Sequence, residues 1–202
     1  MLSVIEVKFC SRWTGRLNIA KWLTRQNIMG QFYVATDYER FWWSHEEQWT
    51  KEHTTGFVFN IGGGISPITC DVSSDPLEPR DLKCVGESLP LKAESVDTVL
   101  AYSVLDHCLS DNKFLSECSR VLKMNGKLLT MQTVWGWREI IDGFRCLFNG
   151  KGYDKNHMRH YYSVWHLKSK IERFGFRVTN IHKEQNCYFI CAERISQRSG
   201  VD

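Results

Sequence analysis

The chain has 202 residues, 43% of them hydrophobic and 24% charged, enough apolar content for a sizeable core and too much for a disordered chain. A formal net charge of +3 is too small to argue for a nucleic-acid partner, and no apolar run approaches the roughly 20 residues that a membrane span needs. The eight cysteines include no C-x-x-C pair and no zinc-finger spacing with histidine, which predicts a reducing, cytoplasmic setting and no structural metal.

Residues 1–55 are predicted to form an N-terminal helical extension or lid. Before Asp37 the only acid is Glu6, against Lys8, Arg12, Arg16, Lys21 and Arg25. This basic, tryptophan-containing start, residues 1–30, suits either a solvated helix face or peripheral contact with a membrane or an anionic substrate. Glu6 and Lys8 interrupt its apolar residues, so it makes a poor signal peptide. Further on, Tyr38, Phe41, Trp42, His45 and Trp49 recur at helical spacing and give one aromatic face. That face is expected to pack on a sheet; the alternative is a substrate lid.

The main domain is placed at 56–195. Phe57 to Ile61 is a short apolar run that reads as a buried parallel strand and stops at Gly62-Gly63-Gly64. Glycine lets backbone approach a ligand closely, and the end of such a strand is where open α/β sheets bind nucleotide-like cofactors. The third glycine of the dinucleotide fingerprint is missing, since Pro67 stands there. Ile68 to Val72 reads as a second strand with Asp71 near its end. Gly64 and Asp71 are too close for the usual crossover of a dozen or more residues, so the helix between these strands is missing or reduced to a turn.

A loop at 73–79 follows, then a third short strand at Leu82–Gly86. Thr98 to Tyr102 is apolar and β-branched enough for a central strand. A helix starts at Asp111 as N-cap, buries Phe114, Leu115, Cys118, Val121 and Leu122, and is closed by Gly126. Lys127 to Thr133 is the next strand. Residues 135–163 form an irregular, substrate-side insertion. A helix at 164–174 ends at Gly175, strands at 176–182 and 188–193 make an antiparallel hairpin, and 196–202 is a tail. The predicted fold is α/β: a doubly wound, mostly parallel, Rossmann-like sheet of the seven-stranded type, ending in that hairpin.

Four pieces in this order carry a family resemblance. They are Asn60-Ile61-Gly62-Gly63-Gly64; Gly86-Glu87-Ser88-Leu89-Pro90-Leu91 running into Ser95-Val96-Asp97; Ser103-Val104-Leu105-Asp106-His107; and Phe114 to Leu128, with its Arg120-Val121-Leu122-Lys123-Met124-Asn125-Gly126 turn. A softer fifth is His157 to Ser163. Together they resemble the class I S-adenosylmethionine-dependent methyltransferases of the small-molecule type, in a compact form with a short connection from strand one to strand two. The resemblance spans about Phe57 to Glu193. It implies S-adenosylmethionine as cofactor, with Asn60, Gly62, Gly63 and Gly64 at its methionine end and Asp71 on the ribose hydroxyls. It further implies Gly86 and Glu87 along the adenine, Ser103 and Val104 beside the sulfonium, and Asp106 or His107 facing the substrate.

Two departures bear on activity. Asn60 replaces the family's acid before the glycine loop, so a neutral amide meets a cationic cofactor. Val85 stands where an adenine-contacting acid is usual. Transfer of a methyl group from a sulfonium is a direct displacement in which the cofactor supplies the reactivity; a base helps where the acceptor is a hydroxyl or a protonated amine. His107 with Asp106 is the first candidate, then His157 or His160; each has a packing or hydrogen-bonding role as its alternative. The acceptor is expected to be a small organic or lipid-linked molecule. No tyrosine has lysine four positions on, which argues against a short-chain dehydrogenase. After the fourth strand there is no Asn/Asp-Pro-Pro-Tyr, which argues against a nucleic-acid base as acceptor. The alternative function is a methyltransferase-like binding module without turnover.

Overall fold

The computed structural model describes residues 37–133, 162–185 and 187–196, apart from 65 and 79. The predicted basic segment at 1–30, most of the insertion at 135–163 and the tail from 197 lie outside the described residues. One helix, α1 (Asp37–His53), precedes the sheet. The strands are β1 (Val58–Ile61), β2 (Val72–Ser74), β3 (Val96–Tyr102), β4 (Leu122–Thr133), β5 (Phe176–Glu184) and β6 (Cys187–Arg194). Helix α2 (Asp111–Val121) joins β3 to β4, and α3 (Val164–Arg173) precedes the final hairpin.

The six strands form one sheet in the order β2-β1-β3-β4-β6-β5. The four at the β2 end are parallel, and β6 runs antiparallel to both β4 and β5. The strand expected at 82–86 is reduced to a single parallel bridge, Ser74 to Leu82, so the described sheet has six strands rather than seven. Side-chain alternation along each strand divides the core in two. Phe59, Val99, Ala101, Leu128, Ile190 and Ala192 face α2 and α3, whose Phe114, Leu115, Cys118, Leu167 and Ile171 close over them. On the opposite face Leu100, Tyr102, Leu129, Met131, Phe189 and Cys191 meet Trp42 and Trp49 of α1. The aromatic face of α1 is therefore a sheet-packing face, as its spacing predicts.

Two local boundaries differ from expectation. The N-cap of α2 is Ser110, whose hydroxyl accepts from the Lys113 N–H at 3.3 Å. Asp111 is instead buried, taking the Tyr162 hydroxyl at 2.7 Å and the Lys170 ammonium at 2.5 Å. The helix also ends at Val121 rather than Gly126; Asn125 then turns the chain at φ +61°. Only glycine fits at position 126, because a Cβ there would lie 2.8 Å from the Lys123 carbonyl oxygen.

Candidate active site

The chain leaves β1 through a tight loop that is pinned on both sides. The Gly63 N–H donates to Ser74 O at 3.1 Å, and the Gly64 N–H to Asp75 Oδ2 at 3.0 Å. Arg80 takes the loop's carbonyls: Nε donates to Gly64 O at 2.6 Å, and Nη2 to Gly63 O at 3.2 Å and Ser66 O at 2.8 Å. Gly62 sits at φ +64°, and a Cβ there would lie 2.7 Å from Val104 Cγ2. Only glycine meets both conditions. No helix follows among the described residues; the chain returns to β2 without regular secondary structure, burying Ile68 on the α1 face of the sheet.

Beyond this loop lies a cavity of about 330 Å³ between the C-terminal ends of β1, β3 and β4, the start of β6, and α1. Its floor follows from strand parity, since Asn60, Tyr102, Met131, Thr133 and Cys187 all point to the α1 face. Trp42, Trp43 and Glu46 of α1 form the opposite wall, while Gly62, Gly63 and Ser66 close the β1 end. Ser103 stands at the rim at φ +52°, a conformation that costs a non-glycine residue on the order of 1–3 kcal/mol. Its N–H is held by Met131 O at 2.8 Å. Ser66 Oγ is buried at the wall with no hydrogen-bond partner among the described residues.

Glu46 is the only charged side chain among the described lining residues, and it is 7% exposed. Burial pushes its carboxyl up to about 7 from the ordinary 4.5, because a low-dielectric site penalises the charged form. The neighbouring Tyr102 hydroxyl is engaged elsewhere, with Thr50 Oγ1 at 2.8 Å. Since Thr50 Oγ1 spends its own proton on Glu46 O at 2.6 Å, Tyr102 is the donor. Burial raises the Tyr102 phenol as well.

The predicted site residues divide into three groups. Asn60, Gly62, Gly63 and Ser103 meet at the cavity; Gly64 and Val104 stand just behind, in the loop and against Gly62. Gly86 and Glu87 do not line the cavity. Gly86 allows close contact with Phe114 and Ile61, and the Glu87 carboxylate takes the Leu109 N–H at 2.6 Å. Asp106 and His107 are also absent from its lining: His107 Nε2 lies 3.8 Å from Asp106 Oδ1 on the turn after β3. His157 and His160 lie outside the described residues.

Asp71 needs a correction. Strand β2 begins at Val72 rather than ending there, and Val72 pairs with Phe59 near the start of β1. Asp71 is therefore at the opposite end of the sheet from the glycine loop, exposed, with Oδ2 accepting the Val58 N–H at 2.7 Å. The acid at the C-terminal end of β2 is Asp75, which is buried and touches the loop directly. Its Oδ1 also accepts the Leu77 and Glu78 N–H groups at 2.8 and 2.9 Å. Sequence reasoning missed Asp75, Arg80 and Glu46. Only Glu46 carried a signal: it lies four residues after Trp42 and three before Trp49, on the buried face of α1.

This arrangement fits the methionine end of S-adenosylmethionine. A side-chain-free cradle, the orphaned Ser66 hydroxyl and the donor-and-acceptor amide of Asn60 together suit a zwitterionic amino-acid end.

The comparisons agree with this. Residues 61–130 match the model of the family described as "Methyltransferase domain". Among solved structures, a Thermotoga maritima S-adenosylmethionine-dependent methyltransferase, described as a possible histamine N-methyltransferase, has a TM-score of 0.64 at 19% identity, covering 88% of this chain and 95% of its own. The Burkholderia thailandensis 1,6-didemethyltoxoflavin-N1-methyltransferase, solved with S-adenosylhomocysteine, has a TM-score of 0.61 at 12% identity, covering 89% and 86%. An Aquifex aeolicus methyltransferase of the same cofactor class has a TM-score of 0.54 at 18% identity, covering 74% and 89%. At these identities the likeness is one of fold. Among curated proteins, none matches. No helix among the described residues is long and apolar enough to cross a membrane.

Proposed function

We propose that this protein methylates a small organic acceptor by direct displacement, a reading supported by the match of residues 61–130 to the methyltransferase-domain model and by a fold like that of S-adenosylmethionine-dependent methyltransferases. The observation that carries this is a single cavity joining the glycine loop to an apolar wall. Asn60, Gly62, Gly63 and Ser66 line one side of it, and Trp42, Trp43 and Met131 the other. When bound, the cofactor supplies an activated methyl group on sulfur.

The chain's own residues then hold and orient. The Asn60 amide and Ser66 hydroxyl hydrogen-bond the methionine end. Asp75 takes over the ribose role implied for the acid after strand two: a carboxylate has about four lone-pair sites, and backbone N–H groups at Gly64, Leu77 and Glu78 fill three. The indoles of Trp42 and Trp43 exclude water and bound the acceptor. Positioning of this kind contributes up to roughly 7–11 kcal/mol where acceptor atom, methyl carbon and sulfur are held in line. A cavity of about 330 Å³ supports a small acceptor. Two of the neighbours described above are named for methylation at nitrogen, which favours a nitrogen acceptor here too.

Calorimetric titration with S-adenosylhomocysteine tests the cofactor assignment. Saturable one-to-one binding is expected, weakened about tenfold or more in Asn60→Ala by the loss of hydrogen bonds in a dry site. Absence of binding at millimolar ligand would overturn the enzyme reading in favour of a methyltransferase-like module without turnover.

A further inference from the structure

The mechanism above leaves one group in the cavity without a task. Glu46 is buried on the inner face of α1, and among the described residues no hydrogen bond or ion pair engages its carboxylate. The described lining contains no lysine, arginine or histidine to neutralise it. A protein gains nothing in stability from an unpaired carboxylate in an indole-walled pocket, because desolvation disfavours the charge. The natural complement is a cation brought by a ligand, since indole faces attract cations as well.

The position of Glu46 decides which ligand. Trp42 and Trp49, which flank it along α1, both pack on Phe189 of β6, and Thr50, one turn further on, bonds the Tyr102 hydroxyl at the end of β3. Between those strands lies β4, which contributes Met131 and Thr133 to the floor. The glycine loop follows β1, on the other side of β3. Glu46 therefore occupies the half of the cavity away from the cofactor cradle, where the acceptor must sit.

Resting on the methyltransferase reading above, we infer that the acceptor is a cationic amine, held by Glu46 against the indoles of Trp42 and Trp43. The chemistry closes. The ammonium passes one proton to the Glu46 carboxylate, which frees the nitrogen lone pair. That pair forms the new N–C bond as the methyl carbon's bond to sulfur breaks, and the bonding electrons stay on sulfur. The N-methylammonium product departs, and Glu46 returns its proton to solvent. A carboxyl poised near neutrality suits such an exchange. Among the described residues, the titratable groups that face it from other elements are Tyr102 and Cys187, both held protonated by burial, with Asp106 acting on Cys187 from beyond.

The test is a set of matched ligands: 2-phenylethylamine, tryptamine and N-methylbenzylamine, each titrated beside its neutral alcohol counterpart. Binding is read by calorimetry, with and without saturating S-adenosylhomocysteine, at about pH 8. At least one amine should bind about tenfold or more tightly than its alcohol, the scale of a desolvated cation–π and charge contact. In Glu46→Gln that preference should fall below about twofold, with S-adenosylhomocysteine affinity changed less than about threefold; Glu46→Asp should retain part of it. Far-UV circular dichroism and retained S-adenosylhomocysteine binding establish that the variants fold. Amines that bind no better than their alcohols would overturn the inference, as would an amine preference surviving in Glu46→Gln. So would a Glu46→Gln variant that loses S-adenosylhomocysteine instead, since Glu46 would then serve the cofactor. Failure of the wild type to bind S-adenosylhomocysteine strikes the methyltransferase reading instead. The amine preference is still read from the titrations without it.

Discussion

If Glu46 is kept for a ligand, the empty protein should carry its cost. Burial raises the carboxyl from 4.5 to about 7, and at about 1.4 kcal/mol per pH unit the ionised form costs the fold about 3 kcal/mol. The sign follows from proton counting. Between these two values the native state still holds a proton that the unfolded chain has lost, so stability falls as pH rises from 4.5 towards 7 and is flat above. Glu46→Gln keeps the shape and removes the titration. It should therefore be close to wild type in acid and more stable than wild type in mild alkali, the difference growing by about 2 kcal/mol between about pH 5 and pH 8. For a chain of this length that is about 4–8 °C in melting temperature. Urea unfolding under reducing conditions, followed by tryptophan fluorescence at both pH values, measures it directly. A variant whose stability tracks wild type at both pH values, or falls below it at both, would refute this account of Glu46 as a buried and unpaired acid.

Three further outcomes separate the assignments made at the glycine loop. Arg80→Ala removes a charged donor from three loop carbonyls, so S-adenosylhomocysteine affinity should drop about tenfold or more by calorimetry, with Arg80→Lys restoring only part. Asp75→Asn should weaken the same ligand by a comparable factor, because an amide has one accepting oxygen where Asp75 accepts at two, whereas Asp71→Ala should leave affinity within about twofold. His107→Ala should change turnover by less than about threefold, since His107 does not line the cavity and a general base would be worth about 10²–10⁴-fold.

The parts of the molecule that were legible are those where one residue pattern has one physical outcome. The apolar, β-branched run at 98–102 and the apolar face of α2 are buried as their composition and spacing predict, and the two closing strands pair as an antiparallel hairpin. The segment from Ile68 to Asp71 was not legible, and the reason is specific. Without a crossover helix the chain returns along the sheet without regular secondary structure, and a connection that buries Ile68 has the composition of a strand. The true strand starts four residues later in the chain, at Val72, which carries the cofactor-side acid from Asp71 to Asp75. Arg80 was invisible for a similar reason: its partners are backbone carbonyls, which leave no residue signature. Glu46 was legible in principle, as an acid within an aromatic stripe, but a stripe defined by its apolar members passes over the one residue that breaks it.

The shortened loop also explains why side chains must do so much at this site. A helix starting after β1 would offer unpaired N–H groups towards a ligand. Here the Gly63 and Gly64 N–H groups turn towards the end of β2 instead, to Ser74 O and Asp75. Among the described residues, the polar side chains that line the cavity at this end are those of Asn60 and Ser66. Asp75 and Arg80 give the loop the rigidity a helix would have given it, but they do so by consuming its backbone donors and acceptors. Cofactor affinity should therefore depend on Asn60 more steeply than it would in a cradle with a helix N-terminus, and the Asn60→Ala titration measures that dependence.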